Sequence, residues 1–301
     1  MVNVKIIFGG ARVNPNRGFE DEAATLKALD ILEAFDVDTI DTSRAYGNSE
    51  RILGRAGAAK RFQIHTKIPG GLQPGSLCED QIKGSVDVLY FHTPDSSTPI
   101  EQALDAMHDL YNKGLFSKFG LSNYLAHEVE QIHEYCWSHK YVLPSVYQGN
   151  FNPLARRAEE LLLPTLRRLG ISFHVYSPIA GGILAKTRDE VLGGLGRFVN
   201  GSLYWKLYVN SANLEALAKW ADIAKEARCH TAELAYRWMR YNSPLRGELG
   251  DAMIIGANGP EQLQQTLRWL ELGPLDQTTC ERIDRIWDNV REVSPLDNFH
   301  G

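Results

Sequence analysis

Cysteine is scarce in this chain of 301 residues: Cys78, Cys136, Cys229 and Cys280 are the only four, and none stands in a C-x-x-C pair or at metal-type spacing. At this length that excludes a disulfide framework and any cysteine-based metal site, and the cysteines read as reduced thiols of an intracellular protein. Long apolar runs are also missing; none approaches the roughly 20 residues needed to cross a bilayer. No G-x-G-x-x-G follows an early strand, so a Rossmann-type dinucleotide site is not indicated. Charge of one sign is nowhere concentrated, and 32 Lys and Arg against 37 Asp and Glu leave a net charge of −5. That balance argues against nucleic acid or an anionic membrane as a partner. Internal repeats, low-complexity tracts and linkers are absent, so one domain over residues 1–301 is the simplest account. The chain enters an apolar run at Val4-Lys5-Ile6-Ile7-Phe8 without a charged-then-apolar leader, and a soluble, cytoplasmic protein is expected.

What is present is a large apolar fraction, 44% of residues, in a repeated pattern of short strand followed by helix. Strands are expected at roughly 4–9, 38–42, 62–67, 86–92, 116–121, 145–149, 172–176 and 251–256. Such alternation builds a parallel sheet covered by helices, and eight strands suggest a closed α/β architecture, a (β/α)8 TIM barrel. After the fourth strand, Thr98-Pro99-Ile100-Glu101 reads as a helix N-cap, first-turn proline and capping-box glutamate. Ile100, Ala103, Leu104, Met107 and Tyr111 then recur on one helical face. The 25 positions from Lys67 to His92 are fewer than the 30 or so of a usual βαβ unit, so the third helix is shortened to about 77–83. Between the seventh and eighth strands, residues 179–211 are glycine-rich and expected as a mobile loop. Helices follow near 212–227 and 231–242, and an extra C-terminal helix near 278–292.

Asp41, Tyr46, Lys67 and His92 each sit at or just beyond the end of an apolar strand run. In a barrel of this type all strand C-termini open onto one face, where catalytic groups collect. An acid, a phenol, an amine and an imidazole at one mouth form a proton-transfer apparatus. Each has a plainer alternative when taken singly. Asp41 could cap the following turn, Tyr46 could shield the barrel mouth, Lys67 could be a surface lysine, and His92 could belong to the turn with Thr93-Pro94-Asp95.

Seven strings occur together and in order: Asp41-Thr42-Ser43-Arg44-Ala45-Tyr46-Gly47, then Lys67, then His92. Gly120-Leu121-Ser122-Asn123, Val146-Tyr147-Gln148-Gly149-Asn150, Tyr176-Ser177-Pro178 and Ala180-Gly181-Gly182-Ile183-Leu184 with Gly196-Arg197-Phe198 follow. Together they resemble the aldo-keto reductase superfamily, and most closely its aflatoxin-aldehyde reductase (succinic semialdehyde reductase) branch. The resemblance implies NADPH-dependent reduction of an aldehyde or ketone, with a small carbonyl compound as partner and homodimers among the relatives. It makes Tyr46 the general acid, with Lys67, fixed by Asp41, lowering the phenol pKa, and His92 orienting the carbonyl. Ser122, Asn123 and Gln148 would hold the nicotinamide carboxamide and Tyr176 would stack on its ring. Ser177, Pro178, Ala180, Gly181, Gly182 and Leu184 would follow the pyrophosphate. Arg197 matches a phosphate-contacting position, and such a cation favours NADPH over NADH; Lys186 and Arg188 add nearby positive charge, or equally are solvated loop residues. Asn258, Gln262 and Gln265 would reach the adenosine, where the helix after Gly259 offers free backbone N–H groups. Arg44, in the mouth with Tyr46 and His92, is a candidate contact for an acidic substrate group, or equally a solvated loop arginine. No metal site is expected.

Three positions depart from the relatives. The third helix is short, Thr266 replaces a usual asparagine near the adenine, and His65 replaces a small residue. Period-two alternation puts His65 on the same face as Lys67, one layer deeper, where Thr39 or Tyr90 could partner it. The six tryptophans suggest a roomy, partly aromatic substrate site. Two other readings stay open: a pathway-specific oxidoreductase of one complex metabolite, and a non-catalytic NADPH-binding subunit of a larger assembly.

Overall fold

The computed structural model describes residues 3–15, 18–19, 21–73 and 86–300. Its strands are β1 (Lys5–Gly9), β2 (Thr39–Asp41), β3 (Gln63–Ile68), β4 (Val86–Phe91), β5 (Phe116–Ser122), β6 (Pro144–Asn150), β7 (Ser172–Tyr176) and β8 (Ala252–Ile255). Each pairs in parallel with the next, and β8 pairs back onto β1, so the sheet closes into a barrel. Every expected strand is present, with ends shifted by no more than a residue. The expected third helix near 77–83 and Cys78 lie outside the described residues.

The helices form because apolar residues recur at helical spacing behind a suitable cap. In α1 (Glu22–Ala34), Asp21 accepts from the Ala24 N–H at 2.7 Å, and Thr25, Ala28, Leu29 and Leu32 turn inward. After α2 (Ser49–Arg55), α3 (Ile100–Asn112) departs from expectation at its start and on its face. The Thr98 hydroxyl bonds Asp95 at 3.0 Å instead of capping the helix, because Asp95 organises the preceding turn through Ser97 and Thr98. Leu110 completes the buried stripe in place of Tyr111, which is exposed.

Next come α4 (Ala126–His139), α5 (Ala158–Leu161) and α6 (Leu163–Arg168). Residues 179–211 are not a plain loop, since they hold a 3-10 segment (Ala180–Ala185), α7 (Arg188–Leu192) and α8 (Leu203–Tyr208). Val191, Phe198 and Tyr208 are fully buried there, which anchors a stretch whose glycines alone suggested mobility. The remaining helices are α9 (Ser211–Glu226), α10 (Thr231–Arg237), α11 (Pro260–Leu270) and α12 (Gln277–Val290), and a π-helical turn (Trp238–Asn242) extends α10. Among the described residues, no helix is long and apolar enough to cross a membrane.

Two interiors result from the strand alternation. Outward-facing residues such as Phe8, Ile40, Leu89, Phe119 and Phe173 pack with Leu29, Leu104, Val129 and Leu166 into one large apolar layer under the helices. Inside the barrel the apolar groups form two small clusters, Ile7 with Ala252 and Ile254, and Val88 with Tyr90 and Val146. The rest of the lumen is polar and includes His65, Lys67, Gln148 and His174, all buried.

Asp251, fully buried just before β8, closes the barrel. Its carboxylate accepts from Arg167 Nη1 at 2.9 Å, from the Phe173 N–H at 2.8 Å and from the Arg246 N–H at 2.8 Å. It thereby joins α6, β7 and the turn entering β8. Asp251→Ala leaves Arg167 and two backbone donors without their acceptor, and should destabilise the fold by about 3–5 kcal/mol. Urea unfolding of the variant checks this, and a midpoint equal to that of the parent would remove Asp251 from the barrel's closure.

Candidate active site

Lys67 and Asp41 lie at the ends of β3 and β2, on adjacent inward-facing positions of the barrel. The Lys67 ammonium is 0% exposed and donates to both Asp41 oxygens, at 2.7 and 2.6 Å, and to the Thr42 carbonyl at 2.9 Å. Burial pulls the Lys67 pKa below its usual range, and Asp41 opposes that shift. Gln148, on β6, donates its Nε2 to Asp41 Oδ1 at 2.9 Å.

Tyr46 ends a short 3-10 turn (Arg44–Tyr46) whose first turn is capped by Ser43, which accepts from the Ala45 N–H. Asn14 fastens this turn from another loop: its Nδ2 donates to the Tyr46 carbonyl and its Oδ1 accepts from the Asn48 N–H, both at 2.8 Å. Lys67 Nζ sits 5.2 Å from the centre of the Tyr46 ring, and the His92 ring meets Tyr46 edge-on at 5.8 Å. Burial, with Asp41 adding to it, pushes the Tyr46 phenol above its usual pKa. The expected lowering by Lys67 is therefore not found; Asp41 neutralises that ammonium at contact distance. Burial, and then the Lys67 charge, hold His92 down to about 3, so its imidazole is neutral. Ser43 Oγ lies 3.2 Å from His92 Nδ1, which leaves Nε2 as the nitrogen available to a ligand.

A cavity of about 960 Å³ opens over these groups. Asp41, Tyr46, His92, Ser122, Asn123, Gln148 and Tyr176 line its inner end. Ser177, Pro178, Gly181, Gly182, Lys186, Arg197, Asn258 and Gln262 line the arm leading away. Lys67 stands behind Asp41, off the wall. Four expected residues are also off it: Ala180 and Leu184 turn into the core and are fully buried, Gln265 lies on the exposed face of α11, and Arg44, exposed on its turn, is not among the lining residues. No tryptophan lines the cavity; its apolar surface comes from Leu72, Ile179, Leu203, Tyr204 and Phe299 instead.

Several polar groups already have partners. Asn123 Oδ1 accepts from the Tyr176 hydroxyl at 2.7 Å, and its Nδ2 donates to the His92 carbonyl at 2.9 Å and to Ser122 Oγ at 3.1 Å. The Asn298 N–H reaches the same Tyr176 hydroxyl at 3.2 Å, so the C-terminal tail helps to fix this ring. Arg197 donates to the Tyr204 hydroxyl at 3.0 Å and covers its ring at 5.0 Å. Gly181 is obligatory beneath that tyrosine, since a Cβ there would come within 2.1 Å of Tyr204 Cδ1. Just before α11 the Asn258 N–H donates to Gln262 Oε1 at 2.6 Å. Thr266 turns inward and is buried, 1% exposed. His65 finds neither Thr39 nor a bond to Tyr90; its Nε2 meets Asp87 Oδ2 at 3.2 Å, on the neighbouring strand one residue before Val88, with which His65 is in register.

Sequence comparison decides what this arrangement belongs to. The pattern of the "Aldo/keto reductase family" matches residues 5–288. The chain belongs to that family. It is 37% identical to "Oxidoreductase sirO" of Leptosphaeria maculans over 285 residues, covering 89% of this chain and 86% of that one. It is also 37% identical to human "Aldo-keto reductase family 7 member A3", over 85% of this chain and 86% of the relative. Mouse "Aflatoxin B1 aldehyde reductase member 2" is 36% identical over 85% of this chain and 78% of its own length. This aldo/keto reductase is therefore an oxidoreductase of carbonyl chemistry in general, and its strand-end acid, phenol, amine and imidazole are assembled at one mouth. Asn14, Ser43 and Tyr204 carried no sequence signal of their own, since each acts through a contact between distant segments.

The low pKa of His92 fixes a pH dependence. An unfolded imidazole takes up a proton as pH falls below about 6.5. The folded one refuses it until about 3. This residue thus withdraws stability as pH drops through that window, and has no effect above it. Between pH 7 and about 4.5, His92→Gln should lose less unfolding free energy than the parent, by about 2 kcal/mol. Equal losses in denaturant titrations at the two pH values would show that His92 is protonated in the fold.

Proposed function

We propose that this protein, as a single barrel domain, reduces an aldehyde or ketone to an alcohol with NADPH, the proton coming from Tyr46. The observation that carries this reading is the Tyr46 phenol, held protonated beside a neutral His92 and over the buried Lys67–Asp41 pair, at the inner end of a long cavity. The aldehyde reductases among the relatives support an aldehyde as substrate.

The cavity fits a nicotinamide dinucleotide in size and chemistry. Ser122 and Gln148 present amide-matching groups, and Tyr176 presents a ring fixed at its hydroxyl by Asn123 and Asn298. Further out, Lys186 and Arg197 put two cations on the same wall, which suits the extra phosphate of NADPH. When bound, the reduced nicotinamide supplies a hydride to the carbonyl carbon.

The chain's own residues do the rest. His92, neutral and engaged by Ser43 at Nδ1, donates from Nε2 to the carbonyl oxygen and orients it. As negative charge develops on that oxygen, Tyr46 transfers its phenolic proton to it. An alkoxide is a far stronger base than a phenolate, so the transfer stays favourable although the Tyr46 pKa is raised. The tyrosinate left behind lies beside the Lys67 ammonium, which Asp41 keeps in place without consuming the cavity face.

The test is consumption of NADPH with a panel of aldehydes and ketones. Tyr46→Phe should lower turnover by about 100-fold or more while NADPH still binds. Arg197→Ala should raise the KM for NADPH about tenfold, with that for NADH unchanged, as loss of one charge-assisted phosphate bond requires. Full turnover in Tyr46→Phe would overturn the assignment of the proton donor.

A further inference from the structure

The turn that carries Tyr46 is gripped from outside by a side chain that takes no part in the mechanism above. We propose that Asn14 is a positioning residue of the active site: its amide clamps the peptide groups on either side of Gly47 and so holds the Tyr46 phenol beside His92 and Lys67.

Only one orientation of the amide fits its surroundings. Nδ2 faces the Tyr46 carbonyl at 2.8 Å and the Ala11 carbonyl at 3.3 Å, and a carbonyl can only accept. Oδ1 faces the Asn48 N–H at 2.8 Å, which can only donate. Both amide protons and the oxygen are therefore used, and the residue is buried. For residues 46 and 48 the amide takes the place of a neighbouring strand.

What it holds would not hold itself. Gly47 has φ +63° and ψ −116°, a backbone region that residues with a side chain rarely adopt. A Cβ there would also stand 2.9 Å from Asn14 Oδ1, so the glycine makes room for the amide. The Tyr46 N–H is taken inside the turn by the Ser43 carbonyl at 2.9 Å, while its C=O goes to Asn14. With both peptide groups bonded, the direction in which the Tyr46 side chain leaves the backbone is fixed. That direction sets the edge-on contact with His92 at 5.8 Å and the 5.2 Å approach of Lys67 Nζ to the ring.

The clamp is itself anchored. Asn14 follows a 3-10 turn (Gly10–Arg12), where the Val13 N–H donates to the Gly10 carbonyl at 2.9 Å and the Asn14 N–H to the Arg12 carbonyl at 2.8 Å. The Val13 side chain between them is fully buried. The Gly10 carbonyl also accepts from Ser49 Oγ at 2.8 Å, which leaves Ser49 to accept from Thr42 Oγ1 at 2.8 Å. Thr42 in turn gives its carbonyl to Lys67. One loop thus reaches Tyr46 through Asn14 and the third acceptor of Lys67 through Ser49.

The test uses Asn14→Asp, which exchanges the NH2 for an oxygen. The acceptor for the Asn48 N–H stays, and the donor to the Tyr46 carbonyl becomes a second acceptor facing it. In the free protein, proton cross-relaxation between the Tyr46 and His92 rings (signals assigned by their loss in Tyr46→Phe and His92→Gln) should fall by about half or more at about pH 8. As pH falls toward about 4.5 the introduced carboxyl takes up a proton and can donate again, so the contact should recover. Because the catalytic role of Tyr46 rests on the proposed function, turnover forms a separate arm. With an aldehyde and NADPH, kcat should fall about tenfold with the KM for NADPH unchanged, and no further loss should appear when Asn14→Asp is added to Tyr46→Phe. A weakened ring contact in a protein whose parent reduces no carbonyl compound would sink the catalytic reading and leave the clamp standing. Should Asn14→Asp fail to fold, Asn14→Ala removes both bonds without adding charge and must weaken the same contact. Parent-like cross-relaxation in a folded variant, or a kcat loss that persists undiminished in Tyr46→Phe, overturns the proposal.

Discussion

An ammonium group without solvent contact, at the centre of a sheet barrel, is stable only if its charge is met on the spot. Lys67 is met by both oxygens of Asp41 and by the Thr42 carbonyl, and so uses all three of its protons. Removing one member of such a pair typically costs about 3–5 kcal/mol, because the other is left charged and dry. The rest of the site is arranged around that constraint. Gln148 is aimed by Asp41, Tyr46 lies across Lys67, and the nearness of the ammonium helps keep His92 neutral. Asp41 therefore does more than balance a charge. By cancelling Lys67 at contact distance it leaves the Tyr46 phenol protonated at rest, and the ammonium's influence on that ring is felt when negative charge appears on the phenol oxygen.

The barrel delivers these groups because side chains alternate across each strand and all strand C-termini face one way. Strand ends alone do not complete the site, however. Tyr46 stands beyond β2 on a turn, and a turn holds a side chain only as well as its own backbone is held. Ser43 caps that turn from within and reaches His92, while Asn14 bonds both its carbonyl end and the start of α2. Two short polar side chains thus couple the acid on one strand end to the imidazole on another.

How much of this was legible in the sequence follows from the range of each contact. The eight strands and Asp41, Tyr46, Lys67 and His92 could be read because period-two runs and their ends are local features, and their order along the chain adds weight. Thr98 misled because its bond to Asp95 competes with capping over the same few residues. The glycines of residues 179–211 suggested a loose loop, but a glycine reports only a permitted backbone: Gly181 is there to let Tyr204 approach, and Phe198 and Tyr208 anchor the stretch. Asp251 and His174 were silent. Their partners lie on strands and turns tens of residues away, and no local pattern marks a carboxylate that closes a barrel or an imidazole that hydrogen-bonds a tyrosine across it. The tryptophans were misread for a related reason, since an aromatic residue's position along the chain does not say which of the two interiors it enters.

That division into two interiors explains how the fold can carry so much polar chemistry inside it. Apolar burial is concentrated in the layer between strands and helices, where Phe8, Leu29, Leu89, Leu104 and Phe173 belong to one continuous cluster. The lumen contributes only two small apolar groups. Filling it with His65, Tyr90, Gln148 and His174 forgoes some hydrophobic stabilisation, and each buried polar atom there must find a partner or destabilise the fold. Because the outer layer supplies most of the burial, the lumen is free to be organised by hydrogen bonds. One atom breaks the pattern: His65 Nδ1 has no hydrogen-bond partner. The imidazole is held instead by Asp87 on one nitrogen and by the His174 ring on its face. An unsatisfied nitrogen is a tolerable defect where the outer layer carries stability, and it marks the place where the lumen's polar order runs out.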